Sequence, residues 1–343
     1  MYSLHALSSF LAFRYVVDDG LSWKDGVKPV LPKLSKKDQK GVASAEEVID
    51  HFTTQLQIDK TTGILLSAGI DSAILASFLP AGTRAYTIRF IAEGAIDESK
   101  GASVFAEKMN LAHTTVDVFW DDYLKFSDVL MKHKKSPLHA IEVALYKAAL
   151  TAKQDGIDQL IVGNGADSTF GGMDKLLSKD WSYEEFKKRY TFVEPSEVLK
   201  NFEDVDQVYK PYKKNDGIDV SPFLKTVHGI GIVQTFNNAI EAAGCRVITP
   251  YESLFFNAPL DMERIRNGES KYILRKVFAS LFPNYSIPEK IPFARPMDQW
   301  LASWEGPKRF EFLDDLDMSK FTGDQKWIIY ILERFMNLFD RHQ

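Results

Sequence analysis

A chain of 343 residues, 45% hydrophobic and 26% charged, is long enough for one large or two ordinary domains with real cores. A net charge of −5 leaves no global basic field for nucleic acid, and the single cysteine, Cys245, excludes a disulfide framework and a cysteine-based zinc site. Cys245 reads as a buried structural thiol. The seven histidines are scattered without metal-ligand spacing. The apolar run from Leu4 to Val17 is broken by His5 and Arg14 and has no basic leader. It therefore reads as neither signal peptide nor membrane span, and a cytoplasmic protein with no membrane or nucleic-acid partner is expected.

In chain order, residues 1–20 read as an apolar helix, followed by a Gly- and Pro-punctuated segment through Pro32 and the Lys36-Lys37 pair. Ser44 before Ala45-Glu46-Glu47 predicts a capped amphipathic helix to Leu56. Ile64–Leu66 predicts a buried strand, and residues 73–79 a helix. Strands are also expected at Ala85–Phe90, Thr114–Val118 and Gln159–Val162. Helices are expected from Asp97 or Ser99 to Met109, at about 121–133 and at about 139–153. The basic run Lys132-His133-Lys134-Lys135 reads as a solvated loop. This alternation predicts an α/β fold with a doubly wound parallel sheet, whose ligands bind beyond the carboxyl ends of the strands. Residues 1–58 read as a segment packing on a core of residues 59–173. Residues 174–343 read as a mostly helical continuation that includes a lid or insertion, interrupted at Arg246–Tyr251 and at Pro283–Pro296.

Three stretches carry chemistry. After the first strand comes Ser67-Ala68-Gly69-Ile70-Asp71-Ser72, where free helix N–H groups, two hydroxyls and a glycine offer an anion site. Asp71 would repel phosphate unless a cation lay between them, which asks for Mg²⁺. On its own the loop reads equally well as a capped helix start, worth about 1 kcal/mol. It lacks the Gly-Lys-Ser/Thr ending of the common P-loop. After the fourth expected strand comes Gly163-Asn164-Gly165-Ala166-Asp167-Ser168, with Phe170-Gly171-Gly172 beyond it. Glycines this dense cost backbone entropy that a surface turn does not require. Both loops lie at the same sheet edge, so Asp71 and Asp167 can share one metal. The third stretch, Ser270 followed by Lys271-Tyr272-Ile273-Leu274-Arg275, reads as a helix start with Lys271 and Arg275 on one face. A lone lysine there would be a solvated surface residue; with Arg275 it makes a positive stripe for a phosphate or oxyanion.

Together these stretches resemble the synthetase domain of the asparagine synthetase family, an N-type ATP pyrophosphatase group. The family's Ser-Gly-Gly-x-Asp-Ser is Ser67-Ala68-Gly69-Ile70-Asp71-Ser72 here. Its Gly-Glu-Gly-x-Asp-Glu-x-Phe-Gly-Gly is similar to Gly163 through Gly172, and its Lys-x-x-Leu-Arg matches Lys271 through Arg275. Weaker likeness covers Phe10–Val16, Tyr86–Phe90, Asp97-Glu98-Ser99, Arg246–Tyr251 and Ile291-Pro292-Phe293. The resemblance implies an adenine nucleotide alpha-hydrolase-like fold and an ATP- and Mg²⁺-dependent ligase. A carboxylate attacks the α-phosphate, pyrophosphate leaves, and ammonia or another amine displaces AMP to give an amide. It further implies that Leu66, Ser67, Ala68, Gly69, Asp71, Ser72 and Gly163 hold ATP and pyrophosphate, that Asp71 and Asp167 bind Mg²⁺, and that Lys271 stabilises phosphate charge. Asn164 and Lys271 would be the catalytic positions.

The departures from the family pattern are informative. No glutaminase domain or N-terminal cysteine nucleophile precedes the synthetase region, so ammonia would come from solution or a separate glutaminase subunit. The acidic residue between the glycines is Asn164, which cannot accept a proton at neutral pH. General-base catalysis is worth roughly 10²–10⁴-fold, so the change bears on an ordinary asparagine synthetase. Ser168 replaces an acid, and Gly244 stands near another, which points to a diverged substrate pocket. Glu252 reads first as a surface carboxylate and, if the base has moved, as its replacement. The alternatives are asparagine synthetase proper and a non-catalytic nucleotide-binding subunit. A tRNA-thiolating enzyme would predict reactive cysteines or a basic RNA face.

Overall fold

Caps and apolar spacing set the first helices of the computed structural model, which describes residues 1–32, 39–288 and 295–340. Helix α1 (Leu4–Phe13) begins at Ser3, whose hydroxyl accepts from Ala6 N, and ends at Arg14 in a left-handed conformation. Its residues Ala6–Phe13 are all buried, as an all-round apolar helix requires. Helix α2 (Ala45–Gln55) opens with a reciprocal cap: Ser44 Oγ accepts from Glu47 N at 3.3 Å, and Glu47 Oε2 accepts from Ala43 N at 2.6 Å. The Lys36-Lys37 pair and Ile291-Pro292-Phe293 lie outside the described residues.

Five parallel strands form the main sheet: β1 (Thr62–Leu65), β2 (Arg84–Phe90), β3 (Ala112–Val118), β4 (Gln159–Ile161) and β5 (Arg246–Ile248). Their order is β3-β2-β1-β4-β5, with Ile64 opposite both Ala85 and Ile161. The strand order reverses between β1 and β4, so the loops leaving these two neighbours flank a crevice. The connections are helical: α3 (Ile70–Ala76), α4 (Ser99–Lys108), α5 (Trp120–Lys134) and α6 (Glu142–Gln154). Adjacent strand residues feed different cores. Tyr86 and Leu160 pack with α5 and α6, whereas Ala85 and Ile161 pack with α2, α3 and α4. The sheet is therefore covered on both faces, and the expected doubly wound α/β fold is the one observed.

Later in the chain lie α7 (Ala166–Phe170), α8 (Gly229–Ala242), α9 (Tyr272–Leu281) and α10 (Gly323–Asp340), giving a largely helical second half. A wide π turn, Leu224–His228, leads into α8, and the Tyr15 hydroxyl bonds to Val227 O within it at 2.6 Å. A separate parallel pair joins Lys40–Val42 to Leu254–Phe256.

Three local expectations need correction. Arg246–Ile248 is no mere break in a helical pattern but the edge strand β5, three residues long and legible only through its pairing with β4. The basic run at 132–135 is solvated at Lys132, His133 and Lys135 but is not a loop. It closes α5, and Lys134 is 1% exposed, bonded to Glu142 at 2.5 Å. The lysine helix starts one residue later than read, with Lys271 at the cap in a left-handed conformation (φ 54°).

Candidate active site

The loops after β1 and β4 open into one cavity of about 1000 Å³. Every residue singled out from the sequence lines it: Leu66, Ser67, Ala68, Gly69, Asp71, Ser72, Gly163, Asn164, Asp167 and Lys271.

The loop after β1 is held by its own serines. Ser72 is buried, and its hydroxyl lies 3.0 Å from Ser67 N and 2.9 Å from Ser67 Oγ. Ser67 Oγ in turn accepts from Gly69 N at 3.2 Å. Both hydroxyls thus shape the loop before they can meet a ligand, a role that the motif alone does not reveal. Gly69 has an ordinary φ of −80°, and a Cβ there would meet only Ser67 Oγ, at 3.4 Å. Neither backbone conformation nor packing requires this glycine; what it leaves is open space above the loop, as an approaching phosphate needs. Ala68 occupies the family's glycine position, and α4 supplies the room: a Cβ on Gly101 would lie 2.7 Å from Ala68 Cβ.

Asp71 enters at the start of α3, and the Tyr251 hydroxyl bonds to its carbonyl at 2.9 Å. Asp167 stands in the first turn of α7. Between them sits the Lys271 ammonium, 2.5 Å from Asp71 Oδ2 and 2.8 Å from Asp167 Oδ1, its side chain only 7% exposed. Burial alone would lower the pKa of Lys271, but the two carboxylates outweigh it and hold the value above normal. Gly172 makes the triad possible, since a Cβ there would fall 1.9 Å from Asp167 Oδ1 and 2.2 Å from Lys271 Cε. Left-handed backbone at a non-glycine residue costs about 1–3 kcal/mol and concentrates where function constrains geometry, which is the circumstance of Lys271. Arg275 lines the same cavity, its Nε bonded to Ser270 O at 2.7 Å.

Two carboxylates converging on one ammonium carry a net charge of −1 and offer the hard oxygen donors that Mg²⁺ takes. That ion typically uses one or two carboxylates, with waters and phosphate oxygens completing its shell. The donor set fits, and Asp71 and Asp167 would hold the ion. Among the described residues no group of three or more His, Cys, Asp or Glu forms a metal site by protein ligands alone.

The third corner of the cavity holds Glu252, which the sequence offered only as a second reading, and two histidines that it did not single out. The second loop lies between Asp71 and Glu252: a Cβ on Gly163 would be 3.4 Å from Asp71 Cβ, and one on Gly165 (φ 91°) would be 2.9 Å from Glu252 Cγ. Glu252 is no surface carboxylate. It lines the cavity, half-buried, with Oε1 accepting from Asn164 Nδ2 at 2.5 Å and Oε2 from Thr249 Oγ1 at 3.2 Å. Burial pushes it up to about 7, against the Thr249 hydrogen bond that opposes the rise. His139 and His228 also line the cavity, and Tyr190 Oη is 3.0 Å from His228 Nδ1. Burial, then the positive charge of Arg14, pushes His228 down to about 3 and His139 well below its usual value, so both imidazoles are neutral near pH 7. Isolated histidines far apart in sequence gave no signal of this meeting.

Comparison with known families places these residues in context. The family model described as asparagine synthase matches residues 45–216, half of the chain. The matched stretch spans β1 to β4 and both Asp-bearing loops, whereas Glu252 and Lys271 lie beyond it. A search of the curated proteins returned no match. None of the described helices is long and apolar enough to cross a membrane. With four of the five sheet strands and both loops inside the matched region, the chain belongs to the asparagine synthase family.

Proposed function

We propose that the chain is an AMP-forming amide ligase that activates a small carboxylic acid with ATP and passes the acyl group to ammonia or an amine. ATP-dependent amidation is the chemistry of its family. The observation that carries the finer reading is the convergence of Lys271, Asp71 and Asp167 beside the open loop at Gly69.

The substrate carboxylate attacks the α-phosphorus, and the bond to the bridging β-phosphate oxygen breaks, so pyrophosphate leaves with that electron pair. The loop from Leu66 to Ser72, together with Gly163, would cradle the departing phosphates, with the N–H groups of Leu66, Ser67 and Gly69 already spent on holding the loop itself. Lys271 faces the charge that develops on the phosphate oxygens, where a preorganised cation acts without reorganisation. Asp71 and Asp167 would hold Mg²⁺, which when bound would neutralise phosphate charge. Ammonia from solution, a separate glutaminase subunit or another amine then completes the reaction.

The test is ATP–pyrophosphate exchange with Mg·ATP and a panel of carboxylic acids that includes aspartate. One acid should support exchange, and AMP, not ADP, should be released. Asp71→Asn should cut exchange by roughly 10²-fold or more, the scale of losing one preorganised electrostatic contact. Release of ADP would overturn the adenylate route. ATP binding without exchange for any acid would make the chain a nucleotide-binding subunit.

A further inference from the structure

Forming an amide asks for something that activating the acid does not: a group that takes a proton from nitrogen. An amine attacks as its free base and becomes acidic only as the new N–C bond forms, so the acceptor must stand beside the acyl carbon. Asn164 lines the cavity from the loop after β4, and an amide side chain has no proton affinity to offer at neutral pH. What it has is a carboxylate partner. Its Nδ2 donates to Glu252 Oε1 at 2.5 Å, while its buried Oδ1 has no hydrogen-bond partner among the described residues. An unsatisfied acceptor inside a cavity wall costs roughly 1–3 kcal/mol and marks a place built for a donor that arrives later.

We infer that Glu252 is the proton acceptor of the amide-forming half-reaction, and that Asn164 positions it while receiving an N–H of the incoming amine on Oδ1. The inference rests on the ligase reading above and adds a residue to it. The carboxylate is fixed from both sides, by Asn164 and by Thr249. Its backbone is fixed as well: Glu252 N donates to Thr249 O at 3.1 Å, and Glu252 O accepts from Gln39 Nε2 at 2.8 Å. Gly165 keeps the approach open, since any side chain there would strike Glu252 Cγ. Among the described residues, burial and the Thr249 hydrogen bond set the ionisation of Glu252, and no charged side chain does. The group is thus poised near neutrality, where a base best combines availability with strength.

The step balances without further reagents. The amine lone pair forms the N–C bond and the carbonyl π pair moves to oxygen. Glu252 takes the N–H proton, and on collapse the C–O bond to AMP breaks, AMP leaving with the electron pair. Glu252 then releases its proton to solvent. Relative to a family pattern with the acid between the two glycines, the carboxylate has moved from the loop after β4 to the turn after β5. Asn164 remains as the arm that aims it.

The experiment separates the half-reactions in the full-length chain, using the acid that supports exchange, ammonium or a simple primary amine, and Mg·ATP. In Glu252→Gln, exchange should remain measurable while amide formation falls roughly 10²–10⁴-fold. The wild-type rate of amide formation should rise with pH through an apparent pKa of about 7, a limb that Glu252→Gln abolishes and Glu252→Asp partly restores. Asn164→Ala should weaken amide formation and displace that limb without abolishing exchange, which a merely structural asparagine would not do. Undiminished amide formation in Glu252→Gln, or loss of exchange and amide formation together, would overturn the assignment while leaving the ligase reading intact. Absence of exchange in the wild-type protein would overturn both.

Discussion

A Cβ at Gly172 would lie 1.9 Å from Asp167 Oδ1, 2.2 Å from Lys271 Cε and 2.9 Å from Asp167 Cα, so backbone as well as side chains would have to shift. Asp167 is tied to Gly172 through its own carbonyl, which accepts from Gly172 N at 2.8 Å, and Lys271 is held between two carboxylates. Gly172→Ala is therefore expected to push Lys271 out of the triad. Overpacking of this kind costs about 1–3 kcal/mol. Exchange should drop at least about tenfold, since each 1.36 kcal/mol of lost transition-state stabilisation is a factor of ten. Exchange kinetics alongside a thermal melt check the two effects, and wild-type exchange in a folded Gly172→Ala protein would sink the argument. At this scale the sequence was informative wherever chemistry follows from residue type and short spacing. Asp71, Asp167 and the flanking glycines were legible as a phosphate-and-metal pattern. The left-handed backbone of Lys271 was not, because nothing in a lysine advertises a conformation that its neighbours impose.

Among the elements, α5, α6 and α8 are joined by a polar network, buried at Lys134, Glu142 and Asn238 and exposed at His133. Lys134 Nζ reaches Glu142 Oε1 at 2.5 Å, Asn238 Nδ2 reaches Glu142 Oε2 at 2.7 Å, and His133 Nδ1 lies 2.8 Å from Asn238 Oδ1. Burial still holds Glu142 above its ordinary range despite the lysine against it. A charge left alone in such a place is expensive, whereas an apolar pair of similar volume is often neutral or better. Lys134→Met should thus destabilise the protein by about 3–5 kcal/mol, and the double replacement Lys134→Met with Glu142→Leu should recover much of that loss. Denaturant unfolding of the single and double variants provides the measurement; equal losses in both would show that the pair is held for packing alone. A basic run beside a predicted break reads as solvent-facing until the chain returns at Asn238. The acid that buries Lys134 is eight residues away, on the next helix.

For the whole molecule, the cavity carries a pH dependence of stability. His228 titrates near 3 in the folded chain against about 6.5 when unfolded, and His139 is displaced in the same direction. Below about pH 6.5 the unfolded chain takes up protons that the folded chain refuses, so stability falls as pH drops from there toward about 3. Each such histidine can contribute a slope approaching about 1.4 kcal/mol per pH unit within that window. His228→Gln should flatten the decline of melting temperature between pH 6.5 and 5, above the range of ordinary carboxylates. Parallel curves for variant and wild type would refute it. Glu252 has the opposite sign: with its pKa raised from 4.5 to about 7, it lowers stability as pH rises across that interval.

The amino-acid sequence by itself determined the strand–loop–helix units, the side of the sheet on which their loops emerge, and most of the residues that come together in the cavity. These depend on periodicity, capping and spacing within about ten residues, all of which are local physics. Only the tertiary structure decided that Arg246–Ile248 completes the sheet, that Ser67 and Ser72 brace their own loop, and that Glu252 stands against Asn164 across 88 residues of chain. A three-residue edge strand has no periodicity to read. Burial of a carboxylate, the cause of its altered acidity, is a property of what packs around it, and no stretch of sequence contains that by itself.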